Sequence, residues 1–171
     1  MVPEIFRQYK LRLIQALFLA FLFCTSGYTQ TYHGTIIHVA DGDTFTFQTA
    51  EGSFRVRSFG IDAPEGTQPF GKESKEFLSK YLNKKAVLKV NGTDRYHRKV
   101  GTLYINGKDI NLLCVKGGYA WHYKRYLSSQ KYAAAQESAK KKKLGLWALP
   151  NPVQPWNWRQ VEKDRGKSHQ R

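Results

Sequence analysis

Between Tyr32 and Tyr104 the chain breaks into short runs rich in β-branched and aromatic residues, each ended by turn formers. Residues 35–39, 44–49 and 54–59 alternate or run apolar, and 86–90 and 100–105 repeat the pattern, which predicts five short strands. Ala50-Glu51-Gly52 and Asn106-Gly107 supply turn signals next to these runs. Over residues 68–82 the period changes. Phe70, Phe77, Leu78, Tyr81 and Leu82 recur at helical spacing among Lys72, Glu73, Lys75, Glu76 and Lys80, and Asn83 closes the helix.

Two more helices follow. Asp109 is a good N-cap for a segment carrying Leu112, Leu113 and Val115, which Gly117-Gly118 stops. Ser128 or Ser129 caps a third, with Tyr132, Ala133, Ala134, Ala135 and Ala139, running into the lysines at 140–143 and ending at Gly145. Five short strands with a helix inserted before the last two predict an α+β fold. Its form is a five-stranded OB-fold Greek-key β-barrel packed with three α-helices. Such barrels offer one strand face and its loops to a polymeric ligand.

At 171 residues the chain suits one globular domain. The first segment is set apart by composition. Arg7, Lys10 and Arg12 precede an apolar run over 13–24 in which only Gln15 is polar, and Thr25, Ser26 and Gly27 follow. That run has the length of a signal-peptide core and is short for a bilayer span, so residues 1–27 are expected to be a signal peptide, with an uncleaved membrane anchor as the alternative. A secreted, periplasmic or cell-envelope protein is then expected, or one held at the membrane through 13–24. Residues 31–149 form the expected domain, and 150–171 a basic tail rich in Pro and Trp.

Cys24 and Cys114 are the two cysteines, which excludes a disulfide framework and a Cys-based zinc finger. Cys114, between Leu113 and Val115, reads as a buried small hydrophobe. Lys and Arg outnumber Asp and Glu by 28 to 13, a net charge of +15 that favours polyanionic partners without choosing among them.

Against that basic background the carboxylates stand out. Four of the 13 acidic residues fall in two turns, Asp41-Gly42-Asp43-Thr44 and Asp62-Ala63-Pro64-Glu65. Either turn alone reads as an ordinary Asp-containing turn. Together, with no His or Cys at metal-binding spacing, their oxygens suit a hard cation such as Ca²⁺ or Mg²⁺. Arg57 leaves the strand just before the second turn, and Asp94-Arg95-Tyr96-His97-Arg98 adds a second arginine cluster. A hard cation beside two guanidinium forks is a recurring arrangement for phosphoryl chemistry, and Glu65 is a spare carboxylate to orient or deprotonate water.

Four blocks in this order, VADGDT (39–44), RSFGIDAPE (57–65), DRYHRKVG (94–101) and NLLCVKGGYAW (111–121), resemble the thermonuclease family typified by staphylococcal nuclease. The resemblance covers about residues 31–149. It implies a five-stranded barrel with three helices and a Ca²⁺-dependent phosphodiesterase acting on DNA and RNA, with 3′-phosphate products. Position by position, it implies Asp43 and Asp62 as calcium carboxylates and Ala63 as a backbone-carbonyl ligand. Glu65 falls at the general base or water-orienting carboxylate, Arg57 and Arg98 at the catalytic, phosphate-binding arginines, and Asp41 at a site-tuning position. His97 departs from the family, which commonly has a small residue there. The substrate-stacking tyrosines match less cleanly: Tyr126 is a counterpart at one position, and Lys124 stands at the other.

Tyr96 lies beside the expected site, where stacking on a substrate base and packing are both open. His33 and His122 read as surface or hydrogen-bonded residues rather than ligands, and the lysines at 140–143 as a solvated helix end. Trp147, Trp156 and Trp158 read as packing the tail onto the barrel. The leading expectation is an exported, monomeric nuclease with DNA and RNA as substrates and no protein partner. A non-catalytic nucleic-acid-binding OB-fold module is the runner-up, and a cationic membrane- or glycan-associated barrel leaves the paired acidic turns unexplained.

Overall fold

The computed structural model describes residues 30–168, together with Arg12. The segment expected to be a signal or anchor otherwise lies outside the described residues; among those described, no helix is long and apolar enough to cross a membrane.

The alternating runs form β1 (Gln30–Val39), β2 (Thr44–Thr49), β3 (Gly52–Ser58), β5 (Lys85–Thr93) and β6 (Lys99–Ile105). Hydrogen bonding runs β3-β2-β1-β5-β6, and the sheet closes on itself where β3 pairs in parallel with β6 through Val56↔Lys99, Arg57↔Val100 and Ser58↔Gly101. Closure removes the exposed edges that five short strands would otherwise leave. Ile36, Phe45, Phe47, Val56, Leu88 and Leu103 fill the interior. β1 spends one extra residue at Ile37, between the pairs Ile36↔Phe47 and His38↔Thr46. The bulge turns Ile37 outward while keeping Ile36 and Val39 inward.

Helix α1 (Gly71–Ser79) spans the middle of the expected segment; Tyr81 falls in the turn beyond it, and Leu82 bridges to Ile36. A short β7 (Lys108–Asp109) leads into α2 (Ile110–Lys116), where the Asp109 side chain accepts from the Leu112 amide at 2.9 Å, as the N-cap reading expects. Asn111 is buried on α2 and joins it to the barrel. Its Oδ1 accepts from Leu103 N at 3.2 Å, and its Nδ2 donates to Phe59 O at 3.0 Å and Gly101 O at 3.2 Å. Ser129 occupies the N-cap position of α3 (Gln130–Lys141), without a capping bond from its side chain. Tyr132 and Ala135 of that helix pack with Ile61, Leu112, Cys114 and Val115 in a second core. Cys114 is buried and free, as expected, and burial raises its thiol above the ordinary range.

Two features depart from the sequence reading. Two-residue strands β4 (Ile61–Asp62) and β8 (Trp121–His122) pair antiparallel, Asp62 opposite Trp121, and so fix the second acidic turn. The tail also carries an element that the sequence reading did not predict: Pro155–Ser168 forms helix α4. Pro155 suits the first turn, where its missing N–H costs no bond. Trp156 seats this helix, stacked on Tyr123 (5.0 Å, 26°) and edge-on to Trp121 (5.9 Å, 70°). Gln68 Nε2 ties the preceding segment down by donating to Val153 O at 2.7 Å. The expected packing of Trp147 and Trp156 on the body of the domain is thus present.

Candidate active site

Two turns far apart in sequence meet at one end of the barrel. In the first, the Asp43 amide donates to Asp41 Oδ1 at 3.0 Å, folding the turn on itself so that Asp43 points inward. The Ala63 amide of the second turn then donates to Asp43 Oδ2 at 2.6 Å. Gly42 permits this approach, since a Cβ there would stand 2.7 Å from both Ala63 Cβ and Ser74 Cβ. Asp43 and Asp62 are 1% and 0% exposed.

Arg57 lies between them. On β3 it pairs with Thr44 on one side and Val100 on the other, which aims its side chain at the barrel end. One terminal nitrogen donates to Asp43 Oδ1 and the other to Asp62 Oδ1. Burial works against the guanidinium charge, but Asp43 and Asp62 outweigh it and raise the Arg57 pKa. Asp43 remains short of compensation. Burial holds its carboxyl well above the usual aspartate range against the pull of Arg57, and Asp41 and Asp62 push the same way as burial.

Arg98 reaches this cluster through Thr44. Arg98 Nη1 donates to Thr44 Oγ1 at 3.4 Å, and Thr44 Oγ1 donates to Asp43 Oδ1 at 3.2 Å. Asp94 organises the loop that delivers it, accepting from Tyr96 N at 2.9 Å, Arg98 N at 3.0 Å and Arg98 Nε at 2.8 Å. His97, the family departure noted above, has φ 60° within that loop, a left-handed conformation that glycine adopts at least cost. Tyr96 is 62% exposed, with Arg95 over its ring at 4.8 Å and Arg98 at 5.5 Å. Tyr126 is 64% exposed, and its ring meets Tyr123 edge-on at 5.0 Å rather than joining the acidic cluster.

Glu65 stands at the rim, its loop held by Glu65 N donating to Gln68 Oε1 at 3.1 Å and Gln68 N donating to Glu65 O at 2.9 Å. Its carboxylate pairs with a residue that the sequence reading missed. Arg159 of α4 donates from Nη1 to Glu65 Oε1 at 2.5 Å, and from Nη2 to Asp62 Oδ2 at 2.8 Å. The signal for it was present in Pro155 at a helix start, with Trp156 and Arg159 three residues apart on one face.

His122 is buried and hydrogen-bonded through Nε2 to Leu127 O at 2.7 Å, as expected of a structural histidine. Lys140 pairs with Glu137 at 3.0 Å at the end of α3. Among the described residues no three of His, Cys, Asp and Glu form a ready-made metal cage. Asp43 and Asp62 nevertheless fit a hard cation: both are buried, both offer only oxygen, and Asp43 lacks full charge compensation. The remaining ligands of such an ion would come from a carbonyl, water and substrate.

The family model for staphylococcal nuclease homologues matches residues 55–149. A Haemophilus influenzae protein described as an uncharacterized endonuclease is 45% identical over 130 residues, covering 75% of this chain and 73% of that one. An Escherichia coli protein with the same description is 35% identical over 129 residues, 74% of this chain and 84% of that one. A staphylococcal-like nuclease of Arabidopsis thaliana is 41% identical over 111 residues, 64% of this chain but only 34% of that longer protein. With its closed barrel and the convergence of Asp43, Arg57 and Asp62, the chain belongs to the staphylococcal nuclease homologue family.

Proposed function

We propose that the protein is an exported, Ca²⁺-dependent nuclease that hydrolyses phosphodiester bonds of DNA and RNA with little sequence preference and leaves 3′-phosphate ends. The observation that carries this reading is the buried Asp43–Arg57–Asp62 cluster, with Arg98 joined to it through Thr44. Asp43 and Asp62, with the Ala63 carbonyl, would hold the ion, and Asp41 keeps Asp43 turned toward it. Bound there, Ca²⁺ supplies a Lewis acid that offsets charge on the phosphate and its attacking water.

Arg57 and Arg98 donate to the non-bridging phosphate oxygens, whose charge grows in the transition state. Glu65 orients the attacking water and accepts its proton. The water oxygen forms a bond to phosphorus as the bond to the 5′-oxygen breaks. The leaving oxygen takes up a proton from solvent, and the phosphate stays on the 3′-oxygen. Tyr96 and Tyr126, both exposed, offer ring faces to the substrate. The net charge of +15 draws in nucleic acid of any sequence. The basic residues and apolar run before Thr25 support export.

The test is incubation of the purified chain with circular plasmid and with RNA, in Ca²⁺ and in chelator, followed by end-group analysis. Cleavage that needs Ca²⁺ and yields 3′-phosphates is expected. Undiminished cleavage in chelator would remove the metal from the reading, and binding without cleavage would replace it with the binding-module reading.

A further inference from the structure

We propose that α4 is an autoinhibitory element whose Arg159 occupies the Asp62 carboxylate of the cation site, so that Ca²⁺ binds only by displacing it. The inference rests on the calcium reading of Asp62 and concerns a residue beyond the 55–149 segment that the family model matches.

The contact is specific. Arg159 reaches Asp62 across 97 residues of sequence, with Nη1 3.2 Å from Oδ1 and Nη2 2.8 Å from Oδ2, so it engages both oxygens of a carboxylate with no exposure to solvent. The same Nη1 lies 2.5 Å from Glu65 Oε1. One guanidinium therefore holds the expected metal carboxylate and the expected water-orienting carboxylate together. A cation needs Asp62 oxygens and the attacking water needs a freely directed Glu65, and both are engaged while this pairing stands. In electrostatic terms Arg159 is a tethered counter-ion, supplying a second guanidinium to Asp62, which Arg57 also holds, and pairing Glu65.

The contact is also built to release. The Arg159 side chain is 43% exposed, so it can swing to water without opening the core. Trp156 seats the helix one turn earlier, against Tyr123 and Trp121, so the helix is held at its start independently of the Arg159 contact. A site closed for part of the time has its apparent affinity lowered by the fraction of time it is open.

The measurement is calorimetric titration of Ca²⁺ into the full chain without nucleic acid, for the wild type, Arg159→Ala, Trp156→Ala and Asp62→Asn. The Ca²⁺ dependence of plasmid cleavage is measured beside it, and circular dichroism confirms folding of each variant. Arg159→Ala is expected to bind Ca²⁺ about tenfold more tightly and to reach half-maximal cleavage at about tenfold less Ca²⁺, with its rate at saturating Ca²⁺ unchanged. Trp156→Ala, which loosens the helix but keeps the guanidinium, should move in the same direction. Unchanged or weaker Ca²⁺ binding by Arg159→Ala, with Asp62→Asn still abolishing binding, would overturn the inference alone. Absence of Ca²⁺ binding in every variant would overturn it together with the calcium reading.

Discussion

The Ala63 amide donates to Asp43 Oδ2 at 2.6 Å, so a backbone group of one acidic turn orients the carboxylate of the other. Neither turn can shift without moving its counterpart. This explains how a site made of loop residues keeps its shape: each carboxylate is held by the opposite turn, by Arg57, or by a strand pairing such as Asp62↔Trp121.

Asp43→Asn separates ligand charge from scaffold. The amide oxygen can still accept from Ala63 N, and Arg57 keeps Asp62 as a partner. Stability should change by about 1–2 kcal/mol in urea unfolding, while Ca²⁺-dependent cleavage falls by at least about 10². Loss of both in equal measure would make Asp43 a structural residue.

Arg57→Lys and Arg98→Lys test the fork geometry. A point charge does not reproduce the two-pronged contact of Arg57 with Asp43 and Asp62, nor the planar fork that the proposed contact with phosphate needs. Each should lower kcat by about 10²–10³, and Glu65→Gln should do the same with nucleic-acid affinity nearly intact. Single-turnover cleavage beside binding of the same oligonucleotide distinguishes these losses. Wild-type rates in Arg98→Lys and Glu65→Gln would refute the catalytic assignment.

Asp94 predicts an acid dependence of the loop that carries Arg98. Burial pushes its carboxyl up, but hydrogen bonds from the Arg98 amide, the Arg98 side chain and Tyr96 N outweigh this and lower its pKa. As pH falls, the unfolded chain takes up the proton first. The stability that Asp94 contributes is therefore present above the ordinary value of 3.8 and is lost as pH drops through the lower folded value. Urea unfolding of Asp94→Ala against wild type should show a gap at about pH 6 that closes below pH 3.8.

His97 sits at φ 60°, where an L side chain is strained. His97→Gly should leave stability unchanged or raise it by up to about 1 kcal/mol, as glycine's lower cost at this φ offsets its greater unfolded-state entropy. A Tm lowered by several degrees would show that the imidazole makes a contact worth more than the strain.

Tyr132 OH donates to Asp109 at 2.8 Å, while Asp109 caps α2 through Leu112 N. Tyr132→Phe removes this link between α3 and α2 and should cost about 1–1.5 kcal/mol in chemical denaturation without altering cleavage.

Strands and inner helices were legible because their burial patterns are local. Phe45 and Phe47 alternate within one run, and Asp109 stands three residues before the amide it caps. The acidic turns and both arginines were legible for a different reason: carboxylates are scarce in this chain, and turn chemistry is written over four residues. The sequence by itself determined these elements and the chemical groups they carry. Tertiary structure alone decided what those groups face. The β4–β8 pairing joins Asp62 to Trp121, and the Arg159 contact joins residues 97 positions apart. Such contacts leave no periodicity in the chain, because they bring backbone groups and opposite charges together across long sequence separations. That happens only once the barrel has closed and Trp156 has seated the last helix.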